Sequence, residues 1–95
     1  MKIRAVFIQE FYEEIGKFYI EVEIPEGSTV RDLIDHIDAK IKQGFRQLVL
    51  DDKGELKHPV EIAVNGRRID FLDGLGTVLK DGDKVLFSPR ALFVV

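Results

Sequence analysis

Between Phe18 and Ile41 the hydrophobic period of the chain changes, and few folds accommodate that change in so short a sequence. Phe18, Ile20, Val22 and Ile24 alternate with Tyr19, Glu21 and Glu23. A period of two belongs to a strand with one face buried and, here, an acidic face in water. After Pro25-Glu26-Gly27, the residues Val30, Leu33, Ile34, Ile37 and Ile41 recur at helical spacing and form one apolar stripe. Thr29 with Asp32 predicts a capping box, with Asp in the place of the usual Glu or Gln. Gly44 predicts the stop, giving an amphipathic helix of about four turns. Asp32, Asp35 and Asp38 lie off the stripe and read as a wet face, with Asp32 also near the positive end of the helix dipole.

The remaining segments read as strands and turns. Residues 3–9, IRAVFIQ, are apolar on both parities, which predicts a central strand covered on both faces. YEEIGK then reads as a loop pivoting at Gly16, so that the first two strands form a hairpin. RQLVLDDKGELKHP predicts a short strand, or a small hairpin turning near Asp52-Lys53-Gly54, ended by Pro59. VEIAV leads into Asn65-Gly66, the two-residue hairpin signal, and Arg67 to Asp70 begin the return. FLDGLGTVLKDGD holds Gly74, Gly76 and Gly82 and reads as loop and short turns. KVLFS is the last strand, stopped by Pro89. The order strand, strand, helix, strand, strand, loop, strand gives an α+β fold, with one main helix across one face of a mixed sheet of four or five strands.

Ninety-five residues bound a single domain. At 45% hydrophobic and 33% charged the chain is too apolar for a disordered one. The net charge of −3 provides no basic field toward nucleic acid or anionic lipid. No cysteine is present, which excludes disulfides, thiolate metal sites, cysteine nucleophiles and cysteine-held clusters. The N-terminal apolar run is interrupted by Arg4, Gln9 and Glu10 and has no signal-peptide core. No stretch approaches the roughly 18 apolar residues of a membrane span. A cytoplasmic location is expected.

Four stretches carry a resemblance: PEGSTVRDL entering the helix, VEIAVNG, LKDGDKV, and Pro89 just beyond. In this order and spacing the sequence resembles the ubiquitin-like β-grasp sulfur carriers, the family of the molybdopterin synthase small subunit (MoaD) and the thiamine-pathway carrier ThiS. The resemblance implies a β-grasp domain over residues 1–90, with the last strand central in the sheet. It also implies chemistry at a C-terminal Gly-Gly, whose carboxylate is adenylated and converted to a thiocarboxylate. Glycine suits a tail threading a narrow channel, because a Cβ would obstruct it.

The segment after Pro89 departs from that pattern. Counted from the proline, the two glycine positions carry Leu92 and Phe93, Val94-Val95 follow, and no Gly-Gly pair occurs among the 95 residues. Branched side chains stiffen and widen such a tail, so ordinary sulfur carriage is not expected. Burying Leu92, Phe93, Val94 and Val95 is worth at most about 6–12 kcal/mol, at about 1.5–3 kcal/mol per side chain. The apolar tail, residues 91–95, therefore has three outcomes: packing on its own domain, clasping a second copy, or inserting into another protein.

Arg90, Ala91, Leu92, Phe93, Val94 and Val95 are accordingly the first candidates for partner docking. Arg67 and Arg68 beside the hairpin turn, with Phe7, Phe71 and Phe87 on a sheet face, are the second set, although core packing suits each phenylalanine singly. His36 and His58 lack carboxylates at metal-ligand spacing, and no metal or cofactor is expected. DGLGTVLKDGD matches neither phosphate-binding nor dinucleotide spacing, and no nucleophile constellation accompanies the serines and threonines. The expected function is a non-catalytic protein-interaction module, with an adenylating enzyme, a synthase large subunit or a second copy as partner. A sulfur carrier with an atypical terminus is the alternative. A TGS-like domain binding a small ligand or RNA is a third reading, disfavoured by the acidic balance.

Overall fold

The last strand among the described residues occupies the middle of its sheet. The computed structural model describes residues 1–90. Its strands are β1 (Lys2–Phe7), β2 (Tyr19–Glu23), β3 (Glu61–Val64), β4 (Arg67–Arg68) and β5 (Lys84–Ser88), arranged β2-β1-β5-β3-β4. β5 runs parallel to β1 and antiparallel to β3, while β2 and β4 form the two margins. This is the ubiquitin-like β-grasp arrangement, and the expected central position of the last strand holds. The tail residues Ala91 to Val95, and with them the boundary at residue 90, lie outside the described residues.

Helix α2 (Val30–Lys40) lies across one face of the sheet and buries Val30, Leu33, Ile34 and Ile37. Its capping box forms as expected. The Asp32 N–H donates to Thr29 Oγ1 at 3.2 Å, and the Thr29 N–H donates to the Asp32 carboxylate at 2.9 Å. The helix is shorter than the pattern suggested, however, because Ile41 already caps it and stands 45% exposed. Gly44, at φ 94°, does not close α2 but opens a second helix, α3 (Phe45–Val49).

Two more departures concern short helices. YEEIGK is not a loop: α1 (Glu10–Ile15) joins β1 to β2. Glu10 and Glu13 favour its first turn, Phe11 is buried with Ile15 packed against the core one turn later, and Gly16 ends it at φ 84°. RQLV is not a strand either. Phe45 and Val49, four residues apart, are fully buried on one face of α3. Asp38, read as a wet-face residue, accepts from the Gly44 and Arg46 N–H groups at 3.0 Å each and so caps α3 from α2. The small hairpin does form after α3 as a single bridge between Leu50 and Leu56. Asp51 accepts from the N–H groups of Lys53 and Glu55 inside its turn.

At the second hairpin Asn65 and Gly66 take φ 52° and 85°, the doubly left-handed turn their pairing signals. Beyond β4, Ile69–Phe71 and Gly74–Gly76 are 3₁₀ turns, so Ile69 and Asp70 do not extend the strand. The centre of the core is aromatic. Phe45 meets Phe7 and Phe87 edge-on at 5.7 and 5.3 Å, Phe7 stacks on Phe87 at 5.5 Å, and Phe11 closes on Phe45 at 6.1 Å. Each such pair adds about 0.5–1.5 kcal/mol beyond area burial. Phe45→Ala should cost about 3–5 kcal/mol in urea unfolding; a loss below about 1 kcal/mol would remove α3 from the folding core.

The helices cover only one face of the sheet, which sets the parity of every strand. In β1, Ile3, Ala5 and Phe7 are buried while Lys2 and Arg4 are exposed and Val6 half-exposed, so β1 is central without being covered on both sides. In β2, Val22 is buried and Glu21 and Glu23 are exposed as expected, but Phe18 is 63% exposed just beyond the sheet. The consequence is measurable at adjacent positions. Val6→Thr should change stability by less than about 1 kcal/mol, whereas Phe7→Thr should cost about 3 kcal/mol or more. Equal costs in thermal melts would reverse the assignment of faces.

Candidate functional site

On the uncovered face the register aligns one row of side chains across all five strands. Val6 pairs with Tyr19 on one side and Leu86 on the other, Leu86 pairs with Ala63, and Ala63 pairs with Arg68. Phe71 continues the row, 74% exposed, with the Arg68 guanidinium 5.3 Å from its ring centre. A second row holds Glu21, Arg4 and Lys84. Arg4 bonds Glu21 at 3.4 Å and sits 4.4 Å from the centre of the Tyr19 ring. Between the rows, Val6, Leu86, Lys84 and the Asn65-Gly66 turn enclose a depression of about 510 Å³. The surface is thus apolar at its centre, with Arg4, Lys84 and Arg68 around it interleaved with the carboxylates of Glu21, Glu61 and Asp70.

Arg68 is the best-held of these cations. It donates to Asp70 at 2.6 Å, and its Nε lies 3.4 Å from Glu61. The hydrogen bond to Asp70, with the charge of Glu61, pushes its affinity for the proton above the ordinary range. Asp70 and Glu61 together orient the guanidinium and offset its charge. Arg67, its neighbour in β4, is exposed on the turn.

The second set of expected docking residues divides by parity. Arg67, Arg68 and Phe71 are accessible or half-accessible. Phe7 and Phe87 are not: both are 0% exposed and belong to the aromatic core. A shift of one residue transfers a side chain to the opposite face, so the face they were assigned to is occupied by their neighbours Val6 and Leu86. The mixed apolar parity of β1 hid this, while the charged positions Lys2, Arg4 and Lys84 carried the signal that marks the wet side. His36 is half-buried on α2 and His58 exposed, and no group of three or more metal-ligating side chains occurs among the described residues. Among them, no helix is long and apolar enough to cross a membrane.

At the end of β5 the Arg90 guanidinium donates to the side chains of Gln9 and Glu10, where β1 passes into α1. Gln9 adopts φ 54°, ψ −131°, a conformation that costs a non-glycine residue about 1–3 kcal/mol. The last described residue is thus tethered at the N-terminus of α1. Beside that helix lies a second depression, about 700 Å³, lined by Tyr12, Gly16, Lys17, Phe18, Tyr19, Ile20, Glu21 and Ile41. Tyr12 and Phe18 stack there at 4.1 Å. Sequence reasoning passed over this groove, because it depends on α1 being a helix and on Ile41 falling past the end of α2. Of the tail candidates only Arg90 is placed; Ala91, Leu92, Phe93, Val94 and Val95 lie outside the described residues.

Comparison with known proteins agrees with the architecture. Residues 6–89 match the ThiS family. Small archaeal modifier protein 3 of Haloferax volcanii is 34% identical over 92 residues, covering 96% of this chain and 98% of the relative. A second Haloferax volcanii protein, of known solution structure, is 32% identical, covers 98% of this chain and 87% of its own, and superposes with a TM-score of 0.82. The Amycolatopsis orientalis BexX/CysO complex contains a chain that shares the fold alone, with 20% identity, a TM-score of 0.80, and coverage of 97% of this chain and 99% of that one. With the β-grasp sheet, the capped helix and a family match over most of its residues, this chain belongs to the ThiS family of ubiquitin-like carrier and modifier proteins.

Proposed function

We propose that the protein is a non-catalytic docking module of its family, one that binds a protein partner through the open face of its sheet. The observation that carries this reading is the uncovered row from Val6 through Leu86 to Phe71, bordered by Arg4, Lys84 and Arg68. An apolar centre rimmed by polar groups is the anatomy of a protein interface. Its border alternates Arg4, Lys84 and Arg68 with Glu21, Glu61 and Asp70, a charge pattern that acts on association rate and on choice of partner. A cytoplasmic adenylating enzyme or synthase subunit has the right role, and the BexX/CysO complex supplies the precedent of a β-grasp protein in a complex.

On this reading residues 1–90 are the binding domain and residues 91–95 a separate element. The sequence places Leu92-Phe93 where glycines would be needed, and the 95 residues contain no Gly-Gly pair. Activation of a terminal carboxylate is therefore not the role assigned to this segment. The competing reading, a working sulfur carrier, draws its support from the ThiS family match over residues 6–89. The two separate in one preparation containing a family adenylating enzyme, ATP and a sulfur donor.

The docking reading expects complex formation with no change in the intact mass of this protein. It also expects Leu86→Asp to weaken the complex about thirtyfold, equivalent to about 2 kcal/mol, while the fold persists. A mass increase corresponding to sulfur replacing oxygen at the chain end would establish the carrier. Unchanged affinity in Leu86→Asp would move the interface off the open face.

A further inference from the structure

We propose that the groove between α1, β2 and the end of α2 is the docking site of this chain's own segment Ala91–Val95. Five large hydrophobic residues are exposed among the described ones, and three of them, Phe18, Tyr19 and Ile41, line this one depression. They are accompanied by Tyr12, stacked on Phe18, and Ile20. Single exposed apolar residues need no explanation, but a contiguous set does.

The occupant follows from where the described chain stops and from what remains of it. Arg90 is held by Gln9 and Glu10, and Tyr12 is only two residues further along α1. Across the sheet, the Phe7 N–H donates to the Phe18 carbonyl, and Phe7 is also paired with Phe87. Phe18 therefore stands two strand spacings from Phe87, about 10 Å. Five extended residues span about 17 Å, enough to cover that distance and enter the groove. Their side chains carry no charge, and four of the five are large and apolar. The rim holds one cation and one anion, Lys17 and Glu21, and so opposes neither.

The segment cannot add to β5, because β1 and β3 already occupy both sides of that strand. The Arg90 contact acts as a positioning device for the segment. Docking in this way withholds Leu92 and Phe93 from any second protein until the groove releases them. This inference goes beyond the open-face reading and does not require a partner.

The protein carries its own reporter. Its only two tyrosines, Tyr12 and Tyr19, both line the groove, and tryptophan is absent. In the full chain, Leu92→Ser combined with Phe93→Ser should shift the NMR resonances of Tyr12, Phe18, Tyr19 and Ile41. It should also raise acrylamide quenching of tyrosine fluorescence, leaving Leu86 unmoved. The reciprocal change Phe18→Ser should shift the Leu92 methyl resonances. Both effects should persist unchanged on serial dilution. Resonances of the groove that ignore the tail substitutions would overturn the proposal. So would effects that vanish on dilution, which would place the segment in the groove of a second copy. The resonances of Tyr12, Phe18 and Ile41, which lie outside the open-face row, keep this test separate from that of open-face binding with Leu86→Asp.

Discussion

Both sides of β5 are hydrogen-bonded, to β1 and to β3, and this constraint organises most of the molecule. A strand enclosed in that way must send alternate side chains to opposite environments. Val85 and Phe87 are accordingly in the core, and Leu86 lies on the open face. Beyond β5, Arg90 reaches Gln9 and Glu10 at the start of α1. The core, the open face and the placement of Arg90 are three results of one strand position.

Cohesion around this strand comes from apolar contact rather than from charge. Arg4–Glu21, Arg46–Asp35, Lys42–Glu14 and Arg90–Glu10 all join side chains roughly half exposed. Exposed pairs of this kind contribute about 0–1 kcal/mol each. Their role is orientation. Arg46 with Asp35, together with Asp38 capping α3, sets the angle between two helices joined by a tight turn. That angle delivers Phe45 to the middle of the aromatic cluster. Polar groups thus place the ring, and burial of the ring supplies the energy.

What could be read from the sequence, and what could not, follows from the length over which each signal accumulates. The alternation in β2, the four-residue stripe of α2, its Thr29–Asp32 cap and the Asn65-Gly66 turn are each written in several agreeing residues. Helices of five or six residues are different. α1 and α3 lie below the length at which helical propensity sustains itself, and they exist because Phe11, Phe45 and Val49 find a core to enter. That information is tertiary. The exchange of Phe7 and Phe87 for Val6 and Leu86 has a related cause: with apolar residues on both parities, only the charged neighbours reveal which side is wet. The groove at Tyr12 and Phe18 was illegible for the same reason, being built from α1 and from the premature end of α2.

The margins of the sheet are unequal. β4 contributes two residues and offers little to an incoming chain, so lateral growth is possible at β2 alone. There Met1 and Ile24 exchange hydrogen bonds and Phe7 donates to Phe18, so the alternation turns the backbone groups of Tyr19, Glu21 and Glu23 outward. Two molecules meeting along that margin would bring their acidic side chains into opposition. Carboxylate charge at β2 therefore opposes edge-to-edge pairing of two copies.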